Sequence, residues 1–235
     1  MPNLLHDKVS LKVSDGSKMD CFVARLRDGE ERRPGLIVLQ EIFGVDAHIR
    51  DVTERLGRQG FVAIAPELYH RTAPGFEGDY NNSATAAPHR DALINAGIEA
   101  DLRATFEWLR AQPFVKPEEI SCVGYCLGGR VAFQANAMLP LKSAISFYAS
   151  GMTDELLERT AALHAPHLFL WGEKDQHIPA EKRATVIGAL KRAGKSYVNV
   201  EFSDAGHGFF CDVRPAYNST AARQAWALAL EFLRS

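Results

Sequence analysis

The stretch Ile120-Ser121-Cys122-Val123-Gly124-Tyr125-Cys126-Leu127-Gly128-Gly129 decides the reading of this chain. A short apolar run, Ile120 to Val123, leads into a helix-forming one, Leu127 to Met138. A strand that turns abruptly into a helix lifts its turn residue above the carboxyl edge of a parallel sheet. The same turn aims the unpaired N–H groups of the helix at one point. Gly124 and Gly128, two positions either side of Cys126, let backbone approach where a Cβ would clash. The pattern is the G-x-S-x-G nucleophile elbow with sulfur in place of oxygen. By itself it is a short motif, and a buried cysteine between glycines would also produce it.

Strands alternate with helices on both sides of this turn. Lys8 to Val13 and Met19 to Leu26 read as a hairpin around Asp15-Gly16. Leu36 to Leu39 is a continuous apolar strand, suited to a sheet covered on both faces. Asp46 is placed to cap a helix with Ile49, Val52 and Leu56 on one face, ending near Gly60. Phe61 to Ala65 is the next buried strand, broken by Pro66. Leu68 to Pro88 has no sustained period and reads as a surface loop or a lid, extending to about residue 90. A long helix is expected over Asp91 to Ala111, with Ile98, Leu102, Phe106 and Leu109 in one stripe. Past the elbow come strands at Ala144 to Tyr148, His167 to Trp171 and Tyr197 to Phe202. A helix runs from Pro179 to Gly194, and a closing helix buries Ala222, Ala225, Trp226, Ala229 and Leu233. The alternation predicts an α/β fold: a mostly parallel central sheet flanked by helices on both faces. With no internal repeat or linker, residues 1–235 are expected to form one domain.

Composition narrows the function classes. A chain of 235 residues that is 46% hydrophobic can bury a large core without disulfides. Its 27 basic and 29 acidic residues nearly balance, and no basic block stands out, so nucleic acid and anionic membranes are not expected partners. The first residues, Met1 to Asp7, lack the apolar core of a signal peptide, and no apolar run spans a bilayer. The four cysteines show neither metal spacing nor a compact disulfide pattern. A reducing, cytoplasmic setting fits, and there a free thiol can do chemistry. Asn81-Asn82-Ser83 and Asn218-Ser219-Thr220 match the glycosylation sequon, a chance match without a secretion signal.

A nucleophilic thiol needs a base, and the base needs an orienting acid. Gly172-Glu173-Lys174-Asp175 follows the strand ending at Trp171, and Ala205-Gly206-His207-Gly208 follows the one ending at Phe202. Both loops fall at the same carboxyl edge as the elbow, in the chain order nucleophile, acid, histidine. Cys126, Asp175 and His207 are therefore the candidate catalytic residues, with Glu173 the rival acid. His164, His167 and His177 lack such context and read as surface or packing residues.

At this point the chain resembles the dienelactone hydrolases, or carboxymethylenebutenolidases, of the α/β-hydrolase superfamily. The resemblance rests on Gln40-Glu41-Ile42-Phe43-Gly44, on the cysteine elbow, on the Asp175 loop and on Ala205-Gly206-His207-Gly208-Phe209. Ala65-Pro66-Glu67-Leu68-Tyr69 and Phe147-Tyr148 support it. It runs from about residue 7 to the C-terminus and is weakest over Arg71 to Ala96. It implies an α/β-hydrolase fold with Cys126 as nucleophile, His207 as base and Asp175 as orienting acid. It further implies that Glu41 contacts the thiol, and that the backbone N–H groups of Ile42 and Leu127 form an oxyanion hole. The family's substrate-binding arginine four residues after the histidine is Cys211 here. Arg214, Arg71, Arg90 and Tyr148 are then the candidate substrate-binding residues.

The implied activity is hydrolysis of a small ester or lactone through a thioester, by a monomer, with neither metal nor cofactor. Two alternatives stand beside it. One is a general esterase or thioesterase on the same fold. The other is an inactive scaffold whose Cys126 senses redox state.

Overall fold

The computed structural model describes residues 4–27 and 31–235. Met1 to Asn3, where the reading of the N-terminus begins, lie outside them. The chain divides into two compact units, with the boundary between Ser121 and Cys122.

In the first unit, β1 (Leu4–Lys12) and β2 (Lys18–Leu26) pair antiparallel from Leu4 against Leu26 to Lys12 against Lys18. The Asp15 carboxylate accepts from the Ser17 N–H, and Gly16 takes φ 88°, so the predicted turn closes this hairpin. Next come β3 (Arg33–Leu39), α1 (Ala47–Arg58) and β4 (Val62–Pro66). β3 and β4 pair in parallel, while β2 pairs antiparallel with β4. The Asp46 side chain accepts from the Ile49 N–H at the start of α1, and Ile49, Val52 and Leu56 are buried as their spacing predicts.

The stretch read as aperiodic is partly ordered into helix. A 3-10 turn at Ser83–Ala86 leads into α2 (Ala87–Asp91), where Pro88 supplies a helix-ready φ in the first turn. The helix expected from Asp91 begins instead as α3 (Asn95–Ala111), because Ile94 is extended at φ −110° and ψ 148°. The region before α2 is tied down. Two Arg50 nitrogens donate to Glu77 at 2.7 and 3.0 Å, the Gly78 N–H donates to the Phe43 carbonyl, and the Tyr80 hydroxyl donates to Asp46. Gly44, at φ 86°, has the Phe76 carbonyl oxygen 2.0 Å from where a Cβ would stand.

Strand β5 (Val115–Tyr125) begins in the first unit and ends in the second. The second unit continues with α4 (Leu127–Asn136), β6 (Ala144–Phe147), α5 (Asp154–Glu158), β7 (His167–Gly172), α6 (Ala180–Arg192), β8 (Tyr197–Phe202) and α7 (Ser219–Arg234). β5, β6, β7 and β8 pair in that order, all parallel. α5 escaped the sequence reading: it is one short turn, capped by the Thr153 hydroxyl. On α7, Trp226 is half-buried rather than buried, and its ring stacks on Phe210.

A polar chain crosses the core of this unit. Asn136 Nδ2 donates to His167 Nδ1 at 3.3 Å, so the neutral ring carries its proton on Nε2 and donates to Ser146 Oγ at 2.8 Å. Ser146 in turn donates to the Gly129 carbonyl at 2.6 Å. Burial pushes the His167 imidazole down to about 3 from its ordinary 6.5. Between those values the unfolded chain binds a proton that the folded one refuses. The stability due to the neutral ring is therefore complete above pH 6.5 and lost as pH falls toward 3. Replacing His167 with Gln should cost about 1–3 kcal/mol at pH 7 through an imperfectly satisfied core. It should also flatten the fall of the urea midpoint across the acid window. An equally steep fall in the variant would assign the acid sensitivity to other groups.

Candidate active site

Cys126 stands between β5 and α4 with φ 52° and ψ −113°, a backbone region that costs a non-glycine residue about 1–3 kcal/mol. Three backbone hydrogen bonds hold it there. Its own N–H donates to the Phe147 carbonyl at 3.0 Å, and its carbonyl accepts from the N–H groups of Gly129 at 3.0 Å and Ser150 at 3.2 Å. The flanking glycines are required by space. A Cβ on Gly124 would fall 1.9 Å from the Gly128 carbonyl oxygen, and one on Gly129 would fall 2.8 Å from the Ala149 Cα. The residue is 7% exposed and sits at the N-terminus of α4, where backbone N–H groups and the helix dipole favour negative charge.

β7 and β8 bring the other two candidates to it. His207 Nε2 lies 3.1 Å from Cys126 Sγ, and His207 Nδ1 lies 2.7 Å from Asp175 Oδ2. Asp175 is the acid that meets the ring; Glu173 is exposed on the same loop. The other Asp175 oxygen accepts from the N–H groups of His177 and Ile178 at 2.8 and 3.1 Å, which fixes the carboxylate. Burial alone would raise Asp175, but the His207 ring and these two N–H groups outweigh it, and its pKa lies below the ordinary value. Burial likewise opposes the charged form of His207. The Asp175 carboxylate and the Cys126 sulfur override it and push the imidazole up to about 10. The loops approach closely because Gly172 has no side chain: a Cβ there would lie 2.4 Å from the Ala205 carbonyl oxygen.

Tyr148 ends β6 at φ 35°, and its ring meets His207 edge-on with centroids 5.1 Å apart. His177, read from sequence as a surface or packing residue, is exposed yet also packs edge-on against His207 at 5.1 Å. Ser150, which the sequence reading missed, places its Oγ 3.4 Å from Cys126 Sγ. Neither carries a motif, because both reach the site through the folding of loops. Beside them lies a cavity of about 210 Å³ lined by Ala149, Met152, Trp171, His177, Ile178 and Val186.

Of the remaining candidates, Leu127 is the first residue of α4 in the second unit. In the first unit, Glu41 is 1% exposed, and the Ile42 carbonyl accepts from the Tyr69 hydroxyl. Gln40 supports this segment, donating to the Glu41 carbonyl and accepting from the Leu68 N–H. Arg71 is held in a carboxylate cluster. Its two terminal nitrogens each donate to buried Asp101 at 2.9 Å, and Nε donates to Asp15 at 2.7 Å. His70 Nε2 meets the same Asp101 at 3.0 Å. Arg90 pairs with its neighbour Asp91. Arg214 lies against Gly208, leaving only 2.3 Å between its guanidinium and a Cβ built there. A flexible guanidinium can move aside, so it is the backbone, at φ 79°, that favours glycine directly after His207.

The parallel strands, the strand–turn–helix elbow and the helices define an enzyme of the α/β-hydrolase fold. The model of the dienelactone hydrolase family matches residues 19–235, and the chain belongs to that family. Membership makes it a hydrolase of ester or lactone bonds. A relative from Synechocystis sp. (strain ATCC 27184 / PCC 6803 / Kazusa) is 37% identical over 202 residues, covering 82% of each chain. The carboxymethylenebutenolidase of Pseudomonas sp. (strain P51) is 34% identical over 235 residues, covering 98% of this chain and 96% of its own. A crystal structure from Klebsiella pneumoniae subsp. pneumoniae MGH 78578, likewise assigned to the dienelactone hydrolases, has a TM-score of 0.89, 30% identity and 99% coverage of both chains. Among the described residues no helix is long and apolar enough to cross a membrane.

The thiols should differ sharply in reactivity. Burial pushes the Cys21 and Cys122 thiols well above their ordinary pKa, so their reactive thiolates are scarce. Iodoacetamide should label Cys126 first in the native protein, and His207→Ala should slow that labelling about tenfold or more. Peptide mapping reads both. Labelling that starts at Cys21, Cys122 or Cys211 would contradict an activated Cys126.

Proposed function

We propose that this chain hydrolyses small esters or lactones with Cys126 as nucleophile, His207 as general base and acid, and Asp175 as orienting acid. One observation carries the proposal: the His207 ring bridges the Cys126 sulfur at 3.1 Å and the Asp175 carboxylate at 2.7 Å. The family resemblance supports the same assignment. The sulfur attacks the carbonyl carbon, and the carbonyl π electrons move onto oxygen. The Leu127 N–H at the first turn of α4 is a fixed donor for that oxyanion. One such donor is typically worth about a hundredfold to a thousandfold in turnover. Collapse expels the alkoxide, which takes the proton from the His207 imidazolium, and leaves a thioester on Cys126. The neutral ring then takes a proton from water as the hydroxide attacks the thioester carbonyl. The second collapse releases the acid and returns the thiolate beside an imidazolium. Asp175 keeps Nδ1–H toward itself and so holds Nε2 toward the sulfur throughout.

The name of the Pseudomonas relative supports a lactone as substrate. A second reading, a general esterase for neutral substrates, is favoured by two observations. By the resemblance, Cys211 stands where the family has an arginine, and Arg71 is engaged by Asp15 and Asp101. We further read residues 1–235 as one domain, since the family match spans both compact units. We also propose a cytoplasmic setting, where such a free thiol persists, and a monomeric protein.

Turnover of activated esters and of carboxylated lactones, measured side by side, tests the proposal. Cys126→Ala should abolish hydrolysis of every substrate without loss of fold, and Cys126→Ser should be badly impaired. Wild-type turnover in Cys126→Ala would end the mechanism. Asp175→Asn should reduce kcat by about a hundredfold to ten-thousandfold, because an amide favours the wrong tautomer of the ring. Glu173→Gln should stay within about twofold of wild type. The opposite ranking would transfer the acid role to Glu173.

A further inference from the structure

Ser150 stands on the turn that follows β6. Tyr148 at φ 35° and Gly151 at φ 74° bend that turn back over the elbow. The residue touches Cys126 twice. Its backbone N–H donates to the Cys126 carbonyl at 3.2 Å, and its Oγ lies 3.4 Å from Sγ. The first contact belongs to the scaffold and is independent of the side chain. The second is a hydroxyl against the candidate nucleophilic atom, on a residue with no motif of its own.

We infer that Ser150 is a further catalytic residue, donating its hydroxyl proton to the Cys126 thiolate as a second hydrogen bond beside that of His207. The inference rests on Cys126 being the nucleophile. A thiolate can only accept hydrogen bonds, whereas a hydroxyl has one proton to give, so the direction follows from the chemistry of the two groups. The sulfur is nearly out of water with the His207 ring beside it, and in such a place a second donor is effective. When the sulfur becomes the neutral thioester, the hydroxyl loses its charged acceptor. Ser150 therefore favours the attacking form over the protonated thiol, and in doing so it tempers the attacking form's intrinsic nucleophilicity. A residue that merely packed against the elbow would not act in these two opposed ways.

The test is the pH dependence of alkylation of Cys126 by iodoacetamide, followed on its own peptide. In Ser150→Ala the midpoint of the rate profile should rise by about one pH unit. The plateau above it should be about threefold faster, because nucleophilicity grows with basicity at a Brønsted slope of roughly 0.4–0.5. Well below the midpoint the variant should be about threefold slower. Ser150→Gly, which also lacks the hydroxyl, should reproduce both changes, and Ser150→Thr should restore the wild-type profile. Melting temperatures should change little, since the backbone contact survives in all three. An unmoved midpoint in both hydroxyl-free variants, or a uniform loss of rate at every pH, would overturn the inference. Ester turnover by Cys126→Ala separates the two claims. If that variant still turns over, the proposed mechanism fails, while the alkylation profile still reports whether Ser150 bonds the sulfur.

Discussion

The second unit depends on one imidazole held from both sides. Asp175 lies 2.7 Å from one nitrogen of His207 and Cys126 sulfur lies 3.1 Å from the other. The ring is largely buried, which disfavours its charge, yet the two partners raise it to about 10. Such a balance exists only where the geometry is tight, because an unpaired imidazolium in the same place would be expelled or neutralised. Much of the local sequence serves that tightness. Gly172 lets the acid loop meet the histidine loop, Gly208 turns the chain directly after the ring, and two N–H groups fix the far oxygen of Asp175.

The elbow is the counterpart of that ring, and its strain is paid out in backbone contacts. Cys126 and Tyr148 are the two non-glycine residues with positive φ among the described residues, and they lie on either side of the same hydrogen bonds. The Cys126 N–H binds the carbonyl just before Tyr148, while the carbonyl of Cys126 accepts from Ser150 just after it. Each strained residue is thus held by the segment that carries the other. Beneath them the Asn136–His167–Ser146 chain ends on the Gly129 carbonyl, in the first turn of α4. A neutral histidine with one donor and one acceptor suits that chain, which explains how a fully buried imidazole can be tolerated beneath the site.

The first unit illustrates a different use of polar groups. Arg71, His70, Asp101 and Asp15 meet in one cluster, with Asp101 fully buried and accepting from both neighbours. A carboxylate so deep in the protein is costly to bury unless such partners hydrogen-bond it. The segment around Phe43 and Gly44 is clasped by Phe76, Gly78 and Tyr80, so a stretch with no periodic signal has a defined path. Irregular segments of this kind are held by specific contacts rather than by a repeating pattern, and composition does not announce them.

The sequence alone determined a great deal here. Apolar runs of four or five residues located β3 to β7, because a sheet covered on both faces requires such runs, whereas the edge strand β8 carries Asn199 and Glu201 and none of its residues is buried. The elbow motif and the order of the three loops placed Cys126, Asp175 and His207 at one edge, since parallel strands deliver their following loops to the same side. Helix limits were less legible: α3 starts four residues later than its apolar stripe implied, because the extended Ile94 interrupts a run whose residues are all compatible with helix. What only the tertiary structure decided was the company these residues keep. Asp175 rather than Glu173 reaches the ring, two positions apart on one loop, because that loop turns on Gly172 and aims one carboxylate inward. Ser150 and His177 reach the site from loops whose course depends on single backbone angles and hydrogen bonds. Local sequence encodes the period of a strand or helix, but which side chains converge at a point is set by contacts between segments far apart in the chain.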